Sequence, residues 1–425
     1  MTLPPPSRSW APRSGYRRPG ADLPSLSGSP AAPVGGVHAG AGQGAGVRPP
    51  GWGRVPGPAN GAAAPSLQDA ARWREVLYYV LAFLGAAGLA GMLWLVSGSA
   101  SSVPDLALVV LLATVPLLVV LAVVFWIDRW EPEPVRMLLV AFLWGAGVST
   151  AVSLLVNSTF AAVVADATGD LQEAEGLAAV VSAPIVEETV KGLGVLVIFL
   201  AWRRTFSGAV DGLVYAAVVA AGFAFAENIL YFVTNRENLL LVFMIRGLFS
   251  PFAHVTFTAC TGVAIGLSAR RRSRLAWVWW TPVGLVAAVV LHAFWNGVVT
   301  VAPRYYLLVE VPFFLACIGM VVWLRWAERM TMRRRLDDYG RAGWFSPQEV
   351  MMLTTGPGRS AGRRWARTRG PAAATAMSRF QKGAAELAQL RQQAVDGHAG
   401  YDFADKEREL LARITSSRQV FLGAA

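Results

Sequence analysis

The chain has 425 residues, 54% of them hydrophobic and only 15% charged, where soluble globular chains carry about 25% charged residues. Its two cysteines, Cys260 and Cys317, both lie in apolar runs, which excludes a disulfide scaffold and a cysteine zinc site. The net charge of +11 is split: residues 1–74 sum to +6, residues 75–324 to −3 and residues 325–425 to +8. Basic flanks around an apolar block fit a membrane protein with cytoplasmic ends, and nucleic acid is not an expected partner.

In chain order, residues 1–66 hold thirteen of the 25 prolines among Gly, Ala and Ser, with no hydrophobic period. This predicts a disordered cytoplasmic tail over residues 1–74. The tail has no apolar core of a signal peptide, so the first span is expected to target the chain to the membrane. The runs that follow are long enough to cross a bilayer. They predict an all-α fold, a polytopic helical membrane protein with about eight transmembrane helices over residues 75–325. The spans fall at about 76–96, 106–127, 137–165, 177–201, 209–233, 239–269, 276–300 and 305–324. The sixth is too long for one straight crossing and is interrupted by Arg246, Gly247, Ser250 and Pro251. A short re-entrant or tilted piece followed by a span from about residue 251 is expected. Arg129, Arg136, Arg203, Arg204, Arg270, Arg271, Arg272 and Arg274 lie in alternate loops, against only Arg236 and Arg304 in the others. That asymmetry puts both termini in the cytoplasm.

Residues 326–425 read as a small, basic, helical cytoplasmic region. Ser346-Pro347-Gln348-Glu349 is a capping-box pattern. Residues 374–394 and 402–417 read as two further helices, with Leu387, Leu390, Leu410, Leu411 and Ile414 at helical spacing. These amphipathic faces are expected to lie on anionic lipid.

Charged residues deep in a span cost roughly 2.5–3.5 kcal/mol each and mark functional sites. The fourth span carries Glu187, Glu188 and Lys191, and Lys191 is the only lysine before Lys382. Spacings of three and four residues let that one ammonium face both carboxylates, leaving one of them a candidate general base. The fifth span carries Glu227 beside Asn228, the sixth His254, and the seventh His292 with Asn296 one turn on. At about 1.5 Å per residue, these positions converge in the outer half of the bilayer. Two histidines with three glutamates form a donor set suited to Zn²⁺. The segment from Asp128 to Pro134 reads instead as a stiff interfacial turn on the other face, with X-Pro pairs keeping it extended.

These residues resemble the PrsW family of bacterial intramembrane proteases. The resemblance rests on Glu187-Glu188-x-x-Lys191, Phe223-x-x-x-Glu227, His254 and His292-x-x-x-Asn296, in that order across four consecutive spans. The Asp128–Pro134 segment is similar to that family's acidic-proline stretch before the third span. More distantly, the chain is similar to the CAAX-protease superfamily. There the second motif commonly has His where this chain has Glu227, and some relatives carry Asp where it has Asn296. The resemblance implies hydrolysis of a peptide bond within the bacterial cytoplasmic membrane. It implies a transmembrane protein substrate, with anti-sigma factors as the family's known type, and membrane lipids as further partners. Two mechanisms stay open. In one, Glu187 or Glu188 is the base, assisted by Lys191 and Asn296, while His254, His292 and Glu227 hold Zn²⁺ and a water. In the other, a glutamate and His254 activate water without metal, and His292 and Asn296 stabilise the oxyanion. The rival classes are a proton- or ion-coupled transporter, since intramembrane acids and histidines also build relays, and a non-catalytic membrane scaffold.

Overall fold

The computed structural model describes residues 67–98, 102–129, 132–203, 206–398, 400 and 402–423. Of the disordered tail expected over residues 1–74, residues 1–66 lie outside them, as do Trp130, Glu131 and Arg204, whereas residues 67–74 are helical and open the first helix. Every backbone N–H and C=O in a bilayer needs a partner within its own segment, so the apolar runs fold as helices, and no strand occurs among the described residues. The membrane part consists of α1 (Leu67–Ser97), α2 (Val103–Asp128), α3 (Val135–Leu143), α4 (Thr150–Thr168), α5 (Leu171–Leu177), α6 (Ala183–Ala201) and α7 (Ala209–Thr234). It continues with α8 (Leu239–Phe243), α9 (Ala253–Ala269), α10 (Trp277–Val301) and α11 (Tyr306–Arg341). Wide π-helical turns join α3 to α4 at Trp144–Ser149 and α5 to α6 at Ala178–Ser182.

Seven helical stretches among the described residues are long and apolar enough to cross a membrane, against the eight spans expected. The stretch outside that set is the expected fourth span. It is helical from 171 to 201, but Glu187, Glu188 and Lys191 fall close together within it and lower its hydropathy. The expected interruption of the sixth span is present. After α8 and the π-helical Met244–Phe249, the helix stops at Ser250 and restarts at α9.

Helix α7 is the centre of the bundle and is buried along most of its length. It packs against α9 backbone to backbone. A Cβ on Gly212 would strike the Gly262 carbonyl, and one on Gly262 would strike the Gly212 carbonyl. Small residues permit this approach in membrane helices. The two helices run antiparallel, since a Cβ on Gly266 would strike the Gly208 carbonyl, and in the far half of α7 Glu227 meets His254 at the start of α9.

Helix α11 does not stop at residue 324. It runs on to Arg341, about 54 Å at 1.5 Å per residue, so one helix carries the chain from the membrane part into the C-terminal region. There α12 (Pro347–Thr354), α13 (Gly356–Thr368), α14 (Pro371–Val395) and α15 (Phe403–Leu422) follow. The capping box forms: the Glu349 N–H donates to Ser346 Oγ, and the Ser346 N–H donates to the Glu349 carboxylate. Helix α13 was not expected, because its Gly-Pro-Gly start reads as a turn. Thr355 caps it through the Gly358 N–H, and Pro357 sits in its first turn, where its missing N–H costs nothing. Leu387, Leu411 and Ile414 are buried against Leu336, Leu353 and Phe380. This corrects the expectation of helices lying apolar-face-down on lipid: the C-terminal region is a bundle whose apolar faces cover one another.

Candidate active site

The site begins with a proline. In the π-helical turn before α6, the Ala183 N–H donates to the Ala178 carbonyl, five residues back. The next donor in that register would be residue 184, which is a proline without an N–H. The Ala179 carbonyl is thereby left free, and Asn296 Nδ2 on α10 donates to it at 2.8 Å. This bond ties α10 to the π-helical turn about two turns before the charged residues. π-Bulges are frequent at functional sites for this reason, since they expose backbone groups that a regular helix consumes.

One turn further, the two glutamates differ. Glu188 is fully enclosed. Its Oε1 accepts from Lys191 Nζ at 2.6 Å and lies 3.0 Å from His292 Nδ1, and its Oε2 accepts from Thr258 Oγ1 at 2.8 Å. Glu187 lines a cavity of about 110 Å³ together with Glu227, Arg246, His254, His292 and Asn296. Its Oε2 is buried without a hydrogen-bond partner, 3.5 Å from Lys191 Nζ.

The histidines are held from behind. Glu188 accepts the Nδ1 proton of His292, and Glu227 accepts the Nε2 proton of His254 at 2.8 Å. The remaining ring nitrogens, His292 Nε2 and His254 Nδ1, each lie 4.0 Å from Glu187 Oε2. Lys191 Nζ also stands 3.3 Å from His254 Nδ1. Phe257 stacks on His292 at 4.7 Å, and Phe223 lies edge-on to His254 at 5.2 Å. These rings keep water away from the back of the site.

Residues 133–323 match the family described as "PrsW family intramembrane metalloprotease". Over that segment the chain is similar to the PrsW family. The chain is 35% identical over 159 residues to the protein named Protease PrsW of Clostridioides difficile, covering 36% of this chain and 63% of that one. It is 32% identical over 139 residues to Protease PrsW of Geobacillus kaustophilus, covering 33% and 57%. To Protease PrsW of Bacillus subtilis it is 28% identical over 183 residues, covering 43% and 78%. The chain thus spans about three fifths of the first two relatives' length. No solved structure matches it. The family and the apolar helices together make this a multi-pass membrane protein.

The structure brings Glu187, Glu188, Lys191, Glu227, His254 and His292 into one cluster, with Asn296 at its edge. The group able to hold a metal ion differs from the sequence reading in one member. Glu187, His254 and His292 place their ligand atoms within 4.8 Å of one another, whereas Glu227 is turned to His254 and Arg246. In the sequence Arg246 reads only as a helix interruption. In the fold its guanidinium bonds Glu227 Oε2 and Asn228 Oδ1 and lies 3.9 Å over the Tyr231 ring. The signal was available, since an arginine inside an apolar run obeys the same logic as Lys191.

A divalent ion fits this donor set. Three carboxylates face two fixed cations, so the cluster has room for positive charge. An orphaned oxygen and two ring nitrogens converge, and each imidazole is braced by a carboxylate, as metal-bound histidines are. Zinc bonds of about 2.0–2.1 Å put tetrahedral ligands about 3.4 Å apart, so binding would draw together the two 4.0 Å separations from Glu187 and the remaining pair, which lies within 4.8 Å.

Proposed function

We propose that this protein is an endopeptidase that hydrolyses a peptide bond of a membrane-spanning protein inside the bilayer, with Glu187 as the central reactive carboxylate. The observation that carries this reading is the contrast between the glutamates. Glu188 is held by three hydrogen-bonding side chains, while Glu187, at the cavity wall, has an Oε2 with no hydrogen-bond partner and only the Lys191 ammonium 3.5 Å away.

The cavity is too small for an intact helix, whose diameter is about 10–12 Å, so the substrate enters as a locally unwound, extended segment. Zn²⁺ held by Glu187, His254 and His292 would polarise the scissile carbonyl and supply a nucleophilic water. Glu188 and Glu227 fix the imidazole rings, and Lys191 holds the Glu188 charge. Without metal, Glu187 itself takes the water proton as the oxygen attacks the carbonyl carbon. It returns the proton to the amide nitrogen as the C–N bond breaks. The two forms share their residues and differ in the role of Glu187.

The substrate class we propose is a single-span transmembrane protein, with an anti-sigma factor as the type. The Arg-rich loops support a bacterial cytoplasmic-membrane location with both termini inside. The cluster then lies in the outer half of the bilayer. The test is cleavage of a single-span peptide in proteoliposomes. Wild-type protein is expected to cut it within the span, and Glu187→Gln to lose the activity. Transport of protons or ions with no cleavage would replace this reading with the relay alternative.

A further inference from the structure

A second, larger cavity of about 480 Å³ lies at the other end of the bundle and shares no lining residue with the first. Asp211 lines this one and Glu227 the other. They are sixteen residues apart on α7, about 24 Å at 1.5 Å per residue. Four arginines face the cavity, Arg129, Arg270, Arg325 and Arg329, against two carboxylates, Asp211 and Glu328. Asp211 already accepts from the Ser207 N–H and Ser207 Oγ, and Arg270 is paired with Asp396 at 3.2 Å. Arg129 lies 5.0 Å over the Trp126 ring, and among the described residues neither it nor Arg329 has a carboxylate within ion-pairing distance. Arg329 Nε is a buried donor with no partner. A buried guanidinium donor left unpaired is costly, and an anion entering the cavity would satisfy it.

The remaining walls say what kind of anion. Trp126, Trp323 and Trp326 are half or more exposed and border the cavity, as tryptophans do at the lipid headgroup level. Val322 and Leu267 continue the lining with apolar surface. The far wall is α14, through Ala385, Gln389 and Gln392. A free phosphate would pair with the arginines and leave this apolar wall uncovered. A phosphodiester headgroup with the start of its acyl chains would cover both.

We infer that this cavity binds one anionic phospholipid, with Arg129 and Arg329 on the phosphate and the tryptophan wall along the glycerol and first acyl carbons. Basic pockets between transmembrane helices serve such headgroups, and guanidinium groups match phosphate oxygens in pairs. The lipid would bridge the membrane part and α14 of the C-terminal bundle. This inference is independent of peptide hydrolysis and stands or falls separately from it.

The experiment is native mass spectrometry of the full chain in neutral detergent, offered equal amounts of dioleoyl phosphatidylglycerol and dioleoyl phosphatidylcholine. One phosphatidylglycerol per chain should be retained, with roughly tenfold preference. Arg129→Gln with Arg329→Gln should remove the preference, and Arg333→Gln with Arg334→Gln, which lie outside the cavity, should leave it intact. Ala385→Phe fills the cavity without touching a charge and should also expel the lipid, which keeps the test open if the arginine pair is needed for folding. Equal retention of both lipids by wild-type protein overturns the inference. So does an equal loss in the Arg333/Arg334 control, or removal of the lipid by millimolar inorganic phosphate, which would identify a free-anion site instead.

Discussion

Helix α7 carries a buried acid near each end, and the two surroundings differ. At Glu227, the carboxylates of Glu187, Glu188 and Glu227 meet Lys191, Arg246 and two histidines within ion-pairing distance. At Asp211, the partners are hydroxyls and backbone N–H groups. Tyr215 Oη donates to Glu133 Oε2 at 2.7 Å, the Glu133 N–H donates to Asp128 Oδ2 at 3.0 Å, and Ser207 donates twice to Asp211. Glu133 lies in the connection between two spans. Burial first, and then the Asp211 carboxylate, push it up to about 8. It is therefore mostly protonated at neutral pH and acts as a hydrogen-bonding group. Burial by itself does not make a carboxylate reactive. Fixed cations and imidazoles surround the carboxylates of the first cluster, while in the second Glu133 takes up a proton.

The largest expected effect separates the two clusters by activity. Glu187→Gln should lower cleavage of a single-span peptide by about 10²–10⁴-fold, the usual cost of losing such a group, whereas Asp211→Asn should stay within about tenfold. Similar losses in both would erase the distinction. Next comes metal content. Elemental analysis of purified protein should give about one Zn²⁺ per chain, lost in His254→Ala. Full activity after exhaustive chelation, with no metal found, would assign the water proton to Glu187 directly.

Arg246→Met removes the guanidinium from Glu227 and leaves a buried charge short of its partner, a change that typically costs about 3–5 kcal/mol. Thermal unfolding in detergent should show this destabilisation. In the part of the protein still folded, His254 loses the brace on its ring and turnover falls. An unchanged melting temperature would show that the α8 segment does not need this ion pair. Lys191→Met should reduce turnover by about tenfold or more, and Lys191→Arg by less, because the guanidinium keeps the charge in a larger shape. Equal activity of both variants and wild type would leave Lys191 as a packing feature.

The smallest effect belongs to the second cluster and is read in stability against pH. The folded Glu133 keeps a proton up to about pH 8, while its unfolded value is 4.5. Between those values the folded state binds the extra proton, so stability falls as pH rises through the window and stays lower above it. Glu133→Gln keeps an oxygen for Tyr215 Oη and removes the titration. Its melting temperature should fall less than that of wild type between pH 5 and pH 8. Parallel curves would show that Glu133 does not set this dependence.

The sequence by itself determined the helical membrane class, the interruption at Ser250–Pro251 and the residues that meet at the site. Apolar run length and the cost of a charge in lipid are local properties, legible without neighbours. The assignment of partners was not local. Glu187 and Glu188 are adjacent and chemically identical, and only the packing of Thr258 and His292 against one of them leaves the other facing the cavity. Glu227 left the expected ligand group because Arg246, eighteen residues beyond Asn228, folds back onto both. Asn296 is spent on a carbonyl that a proline had released. The C-terminal helices carried the right apolar periodicity, but periodicity names a buried face without naming what covers it. That choice between lipid and a neighbouring helix was made by tertiary contact, where α12 to α15 and the end of α11 close over one core.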